Sequence, residues 1–273
     1  MPMTVLSFFG FFRPYSVLRP LLALLWLAMA GGCALLPDEI DQTKDWSANK
    51  LYSEAKSALT DGSYEQAIKL YEKLDSRYPF GRYAQQAEIE IAYAYYKSDE
   101  PTSAIAALDR FIKLYPRHPN LDYIYYLRGL VSFNQGMNIV ERYLPTDRSQ
   151  RDPGAARQSF QDFGEVVRRF PDSKYAADSR QRMVYLRNNL AQYEVHVATH
   201  YLGQSAYLAA ANRGKYVVEH YQQTPAVPEA LAVMVRAYQA MGMNDLVEST
   251  QQVLQTSYPN HSALALSKVT KAQ

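Results

Sequence analysis

The sequence predicts an all-α fold, a superhelical solenoid of about five helix pairs, and three observations carry that prediction. A motif recurs: Ala67-Ile68-Lys69-Leu70-Tyr71 running on to Arg77-Tyr78-Pro79 returns as Ala104-Ile105-Ala106-Ala107-Leu108 running on to Leu114-Tyr115-Pro116, with both the alanine and the proline offsets equal to 37. Related stretches run from Ser159-Phe160 to Arg169-Phe170-Pro171 and from Val247 through Leu254 to Ser257-Tyr258-Pro259. From Trp46 onward Gly and Pro punctuate segments rich in Ala, Leu, Tyr, Glu, Lys and Arg, most of them good helix formers. No alternating strand bounded by hairpin turns interrupts them. With 48% hydrophobic and 21% charged residues over 273 positions, the chain has a core to bury and is not a disordered polymer.

Residues 1–32 stand apart from that body. Arg13 and Arg19 are their only charges, and after Pro20 comes the apolar run Leu21 to Ala30. A positive segment followed by such a run has the form of a secretion signal. Small residues then lead to the single cysteine, Ala30-Gly31-Gly32-Cys33. This resembles a bacterial lipobox, in which cleavage precedes the cysteine and its thiol is lipidated. Cys33 is therefore the expected lipid attachment site, and that covalent lipid takes the place of any cofactor. Ala34 follows it instead of the aspartate that retains lipoproteins in the inner membrane, so the expected location is the outer membrane, held from the periplasmic side. The alternative, an uncleaved anchor, meets a run from Leu21 to Leu36 somewhat short of the ~18–20 residues a spanning helix needs. The three acyl chains such a signal implies would anchor stably, where one is marginal. Removing 1–32 takes two of the 29 Lys+Arg and leaves 27 against 27 Asp+Glu, a neutral mature chain.

Residues 33–45 read as the lipidated N-terminus and tether. Residues 46–135 hold the first repeats. In the first copy, Leu51, Ala55 and Ala58 share a face of one helix, Gly62 marks a turn, Tyr64, Ala67, Tyr71 and Leu74 lie on the second helix, and Pro79 ends the unit. This resembles the tetratricopeptide repeat, a helix-turn-helix of about 34 residues. Small Ala55 and Ala67 let the two helices approach, and Tyr71 and Leu74 fill the gap to the next repeat. The second unit spans Arg82 to Pro116. The third opens with a helix from Leu121 to Gln135, with Gly129 at a small-residue position. An insertion at 136–154 carries Pro145, Asp147, Arg148, Arg151 and Asp152. Residues 155–260 hold the rest of repeat three, a divergent fourth repeat (a long helix over Tyr175–Tyr201 and a partner over Ala206–Tyr221) and a fifth over Pro228–Pro259. Residues 261–273 are expected to fray as a tail.

A stack of such repeats lines a concave surface with its first helices. By repeat register that surface includes Tyr52, Lys56, Tyr93, Tyr96, Lys97, Tyr126 and Asn134. Tyrosine, present 23 times against 10 Phe and 2 Trp, offers apolar area and one hydroxyl at low entropic cost, which suits a peptide groove. Packing between repeats is the competing use of the same rings.

Catalytic constellations do not form in the sequence. His196 and His200 are four apart, but a zincin pattern needs Glu directly after the first and Val197 stands there. One cysteine excludes an internal disulfide and any multi-thiolate zinc site. Gly203-Gln204-Ser205-Ala206 lacks the closing glycine of a nucleophile elbow, and no phosphate-binding glycine loop occurs. Arg168, Arg169, Arg180, Arg182 and Arg187 are balanced by acids, so no nucleic-acid partner is expected. The chain is read as no enzyme, without metal.

Several stretches carry a family resemblance: Tyr64 to Tyr71, Arg77-Tyr78-Pro79-Phe80-Gly81, Tyr83 to Ala87, Leu114 to Asn120, Tyr123 to Gly129, Asp147 to Asp152, Phe170 to Tyr175, and Ala211-Asn212-Arg213. Together with the lipobox and the repeats they resemble the BamD family, which includes proteins called ComL, over essentially the whole mature chain. The resemblance implies a non-catalytic lipoprotein subunit of the outer-membrane β-barrel assembly machine. It implies BamA as partner through its periplasmic POTRA domains, with the lipoproteins BamC and BamE and unfolded outer-membrane proteins as further partners. It places substrate at the N-terminal repeats and BamA at the C-terminal ones, with Asn212 and Arg213 on the BamA side. The alternative is a peptidoglycan-associated envelope lipoprotein acting in competence and DNA uptake, the idea behind the ComL name.

Overall fold

The computed structural model describes residues 41–135 and 149–268. Cys33, the signal segment and most of the insertion lie outside those residues. Residues 41–46 form a turn of their own, with the Lys44 amide donating to the Asp41 carbonyl at 3.1 Å. The helical body begins at Ser47, whose hydroxyl caps the first helix by accepting from the Lys50 amide.

Eleven helices and no strand follow among the described residues. In chain order they are α1 (Ala48–Thr60), α2 (Tyr64–Arg77), α3 (Arg82–Lys97), α4 (Pro101–Leu114), α5 (Leu121–Asn134), α6 (Gly154–Arg169), α7 (Ala176–Gly203), α8 (Tyr207–His220), α9 (Val227–Ala240), α10 (Asn244–Ser257) and α11 (Ala263–Lys268). Each helix packs on its chain neighbours, and first helices also meet across repeats, α1 on α3 and α7 on α9. The protein is therefore an all-α tetratricopeptide-like stack. The expected frayed tail instead opens with α11, which packs on α9 and buries Ala263 beside Leu254.

The repeat is written at two places, at the turn of four units and at the end of all five. Four turns joining first to second helices hold a residue in the left-handed region at the same place: Gly62 (φ 79°), Asp99 (64°), Ser205 (58°) and Gly242 (71°). In each, the next amide reaches back five residues: Ser63 to Ala58, Glu100 to Tyr95, Ala206 to Tyr201 and Met243 to Tyr238, at 2.9–3.0 Å. This is the Schellman closure, which satisfies a carbonyl that the helix end would orphan.

Every second helix stops at an aromatic: Tyr78, Tyr115, Phe170, Tyr221 and Tyr258, each with φ between −121° and −136°. Proline follows four of them. Tyr221 lacks it, yet its geometry is the same, which aligns the divergent fourth repeat. Counting back from these aromatics, the residues four before them (Leu74, Phe111, Val166, Val217 and Leu254) are all fully buried, as are Ala67, Ala104, Ser159 and Ala210 eleven before.

The position seven before the aromatic sets how a unit packs. It is Tyr71, Leu108 and Phe163 in the first three repeats, all fully buried, and Gly214 in the fourth. A Cβ on Gly214 would lie 2.6 Å from Met234 Cγ and 2.9 Å from the Ala230 carbonyl oxygen, so α8 and α9 are in backbone-level contact there. Gly129 is the matching close approach in repeat three: a Cβ would meet the Phe163 ring at 2.7 Å, and Ser159 Oγ donates to the Gly129 carbonyl at 2.9 Å.

Candidate peptide-binding groove

The first three repeats and the connection into α7 line an open cavity of about 810 Å³. α1 contributes Lys56, Leu59 and Thr60, and α3 contributes Gln86, Ile89, Glu90, Tyr93 and Lys97. Asp122 and Tyr123 come from α5, and Lys174 and Tyr175 from the connection into α7. The two sides are tied at the floor. Lys56 Nζ lies 2.7 Å from Glu90 Oε1, and Gln86 Nε2 donates to the same oxygen at 3.1 Å, so Glu90 is held by its own and a neighbouring repeat. On the opposite wall Ser173 Oγ donates to Asp122 Oδ2 at 2.6 Å and fixes the connection against α5.

The wall is aromatic. The Tyr123 and Tyr175 rings are 5.6 Å apart, and the Lys174 ammonium sits 5.0 Å over the Tyr175 ring. Burial, reinforced by the charge of Glu90, pushes the Tyr123 hydroxyl well above the usual phenol range, so it stays a neutral donor. The groove thus presents neutral rings between ammonium groups, able to stack on apolar side chains and to accept a backbone or terminal carboxylate.

Of the seven positions expected on this surface, Lys56, Tyr93 and Lys97 line the cavity. The other four do not, and each is engaged in packing. Tyr52 lies between the rings of Tyr71 and Tyr83, at 5.9 and 5.3 Å. Asn134 Nδ2 donates to Tyr96 Oη at 2.6 Å, so those two satisfy each other. Tyr126 is stacked flat against Tyr175 at 4.6 Å, and its hydroxyl donates to Asp178 at 2.8 Å. Burial pushes the Asp178 carboxyl up, but hydrogen bonds from Arg182 and Tyr126 outweigh it and hold the group below the ordinary range. Tyr123, Tyr175, Gln86, Glu90, Asp122 and Lys174 were not anticipated. Tyr123 is one turn from Tyr126 on the same helix. Tyr175, expected as the first residue of the long helix, instead caps it from the connection and lies outside the helix register.

In the C-terminal repeats, Asn212 and Arg213 are exposed on α8. Arg213 already has a carboxylate, within the chain: its Nη1 lies 2.9 Å from Glu194 Oε2. Arg157 Nη2 of α6 approaches the other oxygen, Oε1, at 3.3 Å. Glu194 is 1% exposed, whereas the two arginines are about half exposed, at 51% and 45%. His196 and His200 border a smaller cavity of about 460 Å³ with Ser149 and Tyr193, and His196 Nε2 is 2.9 Å from Ser149 Oγ. Among the described residues no group of three or more His, Cys, Asp or Glu side chains is arranged to hold a metal ion.

Comparison with known proteins adds a consistent picture. The family model described as "YfiO: Outer membrane lipoprotein" matches residues 44–254. The outer membrane protein assembly factor BamD of Neisseria meningitidis (serogroup A) is 48% identical over 80% of this chain and 81% of its own length. The Vibrio cholerae protein of the same name is 39% identical over 88% of this chain and 98% of its own. Among solved structures, a putative kinesin light chain of Podosopora anserina with TPR-like repeats aligns with 78% of this chain and 96% of its own, at 13% identity and a TM-score of 0.40.

Proposed function

The chain belongs to the BamD (YfiO) family of outer-membrane lipoproteins, and from that premise we propose that it is a non-catalytic adaptor of the β-barrel assembly machine. Lipid on Cys33 anchors it to the outer membrane from the periplasmic side. The groove of the first three repeats receives an extended C-terminal segment of an unfolded outer-membrane protein. Tyr93, Tyr123 and Tyr175 offer rings to its aromatic side chains. Lys97 and Lys174 face its carboxylates. The α8 face with Asn212 and Arg213 meets BamA, and BamC and BamE are further partners in the assembly. The adaptor carries one client while holding the machine that inserts it, which needs two sites and no chemistry.

The observation that carries this proposal is the single cavity built from three repeats and walled by tyrosine rings between ammonium groups. A photo-crosslinking amino acid placed at Tyr93, Tyr123 or Lys97 should capture a peptide bearing the C-terminal strand of an outer-membrane protein. The same probe at Tyr52, packed between Tyr71 and Tyr83, should give much less. Equal yields at Tyr52 and Tyr123, or none at the three lining positions, would reject the groove as the client site. In the same chain, substituting Asn212 should lower recovery of co-purified BamA without lowering thermal stability, because Asn212 is exposed.

A further inference from the structure

The ends of the five repeats are alike in backbone and unlike in charge. The eight residues that begin two before the closing aromatic hold Arg77 and Arg82 in the first repeat and Lys113 and Arg117 in the second, with no acid in either stretch. In the third, Arg168, Arg169 and Lys174 stand against Asp172, so each of the three stretches has a net charge of +2 with histidine neutral. The matching stretches 219–226 and 256–263 hold no Lys or Arg, and their net charges are −1 and 0. The helix dipole accounts for part of the contrast. Arg77, Lys113, Arg168 and Arg169 sit in last turns, where a cation is stabilising. It does not account for the rest. Arg82 opens α3, where the dipole disfavours a cation, and Arg117 and Lys174 lie in connections between helices. Arg168 and Arg169 share Glu165, whereas among the described residues Arg82, Lys113, Arg117 and Lys174 make no ion pair. Apolar groups stand between these cations: Phe80 is 90% exposed and Leu114 55%. All three stretches lie on the edge of the stack where one repeat passes to the next. The second and third meet at the groove, which Pro119, Asn120, Lys174 and Tyr175 border.

We propose that this edge of the first three repeats lies against the anionic headgroups of the membrane, with the Phe80 ring in the interfacial layer. Lys and Arg beside an exposed aromatic have the composition of an interfacial contact. Each cation near an anionic bilayer strengthens association several-fold. The mature chain is neutral, so the positive field belongs to this edge and not to the protein as a whole. Phe80 and Leu114 are single side chains set between cations, not a continuous apolar patch, which favours headgroups over a folded protein. The inference rests on the reading that Cys33 carries lipid. The fourteen residues from Cys33 to Trp46 reach at most about 50 Å, which keeps the chain near the bilayer, where weak contacts suffice. Docked by this edge, the groove bordered by Lys174 and Tyr175 opens beside the surface that a client has to enter.

The test uses the lipidated chain carrying Trp46→Phe and Phe80→Trp, which leaves one indole in the mature protein. In vesicles of phosphatidylethanolamine and phosphatidylglycerol its emission should shift to the blue. Brominated acyl chains should quench it about twofold more than in phosphatidylcholine vesicles. At about 0.5 M salt that difference should disappear. Adding Arg82→Gln, Lys113→Gln and Arg117→Gln should remove most of the shift and leave thermal unfolding unchanged, because none of the three is in an ion pair. The probe moved to Gln204→Trp, exposed at a turn on the opposite edge, should stay unshifted in both kinds of vesicle. The same emission from Phe80→Trp in anionic and neutral vesicles, or equal quenching at Gln204→Trp, would overturn the proposal. So would silence on vesicles with a response to a peptide bearing the C-terminal strand of an outer-membrane protein, which would give the edge to the client. Flotation with phosphatidylcholine vesicles reads the anchor alone. A chain that does not float overturns the lipid on Cys33, and the edge is then judged on the anionic vesicles by the same shift.

Discussion

Two ion clusters, each holding one buried carboxylate, one in the third repeat and one in the fourth, are inversions of each other. In the third, one arginine serves two acids: Arg128 of α5 reaches Asp162 of α6 through Nε at 2.9 Å and Nη2 at 2.6 Å, and its Nη1 reaches Asp109 of α4. In the fourth, one acid serves two arginines, Glu194 between Arg157 and Arg213. Asp162 and Arg213 occupy the same repeat position, eight residues before Phe170 and Tyr221. In both clusters the central residue sits on a first helix and its partners on the second helices before and after it. The stoichiometry decides the outcome. Arg128 spends three donors on the two acids and is itself only 18% exposed, although Asp109 stays 54% exposed, so the guanidinium is largely closed off. Glu194 is buried while both of its arginines stay about half exposed, so that cluster opens to the surface. A repeat scaffold can thus build the same three-residue device with either charge in the minority.

Stability measurements can break that contrast. Arg128→Met leaves Asp162 buried without its cation and should destabilise the protein by about 3–5 kcal/mol in urea unfolding at neutral pH. The matching change at the open cluster, Arg157→Met, should cost about 1 kcal/mol or less, because Glu194 keeps Arg213. Equal losses would show that the two clusters are not different in kind. The pH dependence sharpens the point. Burial raises the Asp162 carboxyl above its ordinary range despite the hydrogen bonds and charge of Arg128. A carboxylate raised on folding binds its proton more tightly in the folded state, so its contribution is fully present below the unfolded pKa and is lost as pH rises through the folded one. Without Arg128 the carboxyl rises further, and the deficit of Arg128→Met relative to the unaltered chain should shrink as pH is lowered toward the ordinary carboxylate range.

A smaller effect tests the packing difference between the two halves. Gly214→Ala drives a Cβ against Met234 and the Ala230 carbonyl, and should cost about 1–3 kcal/mol in the same unfolding measurement. An unchanged midpoint would mean that α8 and α9 are looser than the close approach implies. The smallest effect tests what the halves share. Asp99→Gly and Ser205→Gly should each stabilise by about 0.5–1 kcal/mol, since both replace a left-handed non-glycine residue in the same turn. Unequal gains would separate the turn of the second repeat from that of the fourth.

Much of the fold was legible because its signals are local. The aromatic-proline ends and Gly62 act over a few residues, and they marked the units directly. The fourth repeat was blurred because Tyr221 lacks its proline, although the helix ends there in the same way. The site was half legible. Lys56, Tyr93 and Lys97 follow from helix register and do line the groove. Tyr126 satisfies the same register, but Tyr175, 49 positions later, lies flat over it and takes the surface place. Arg213, placed on the BamA side by the family resemblance, pairs within the chain with Glu194, a contact that no spacing announced.

What the sequence by itself determined was the helical repeat, its period, its turns and the kind of side chains available, because helix formation, capping and chain reversal depend on neighbours within about a turn. What only the tertiary structure decided was which tyrosines face the groove and which arginines are closed off or stay half exposed. Those depend on rings and charges brought together from separate repeats. No spacing along the chain records that contact, because it is made by packing.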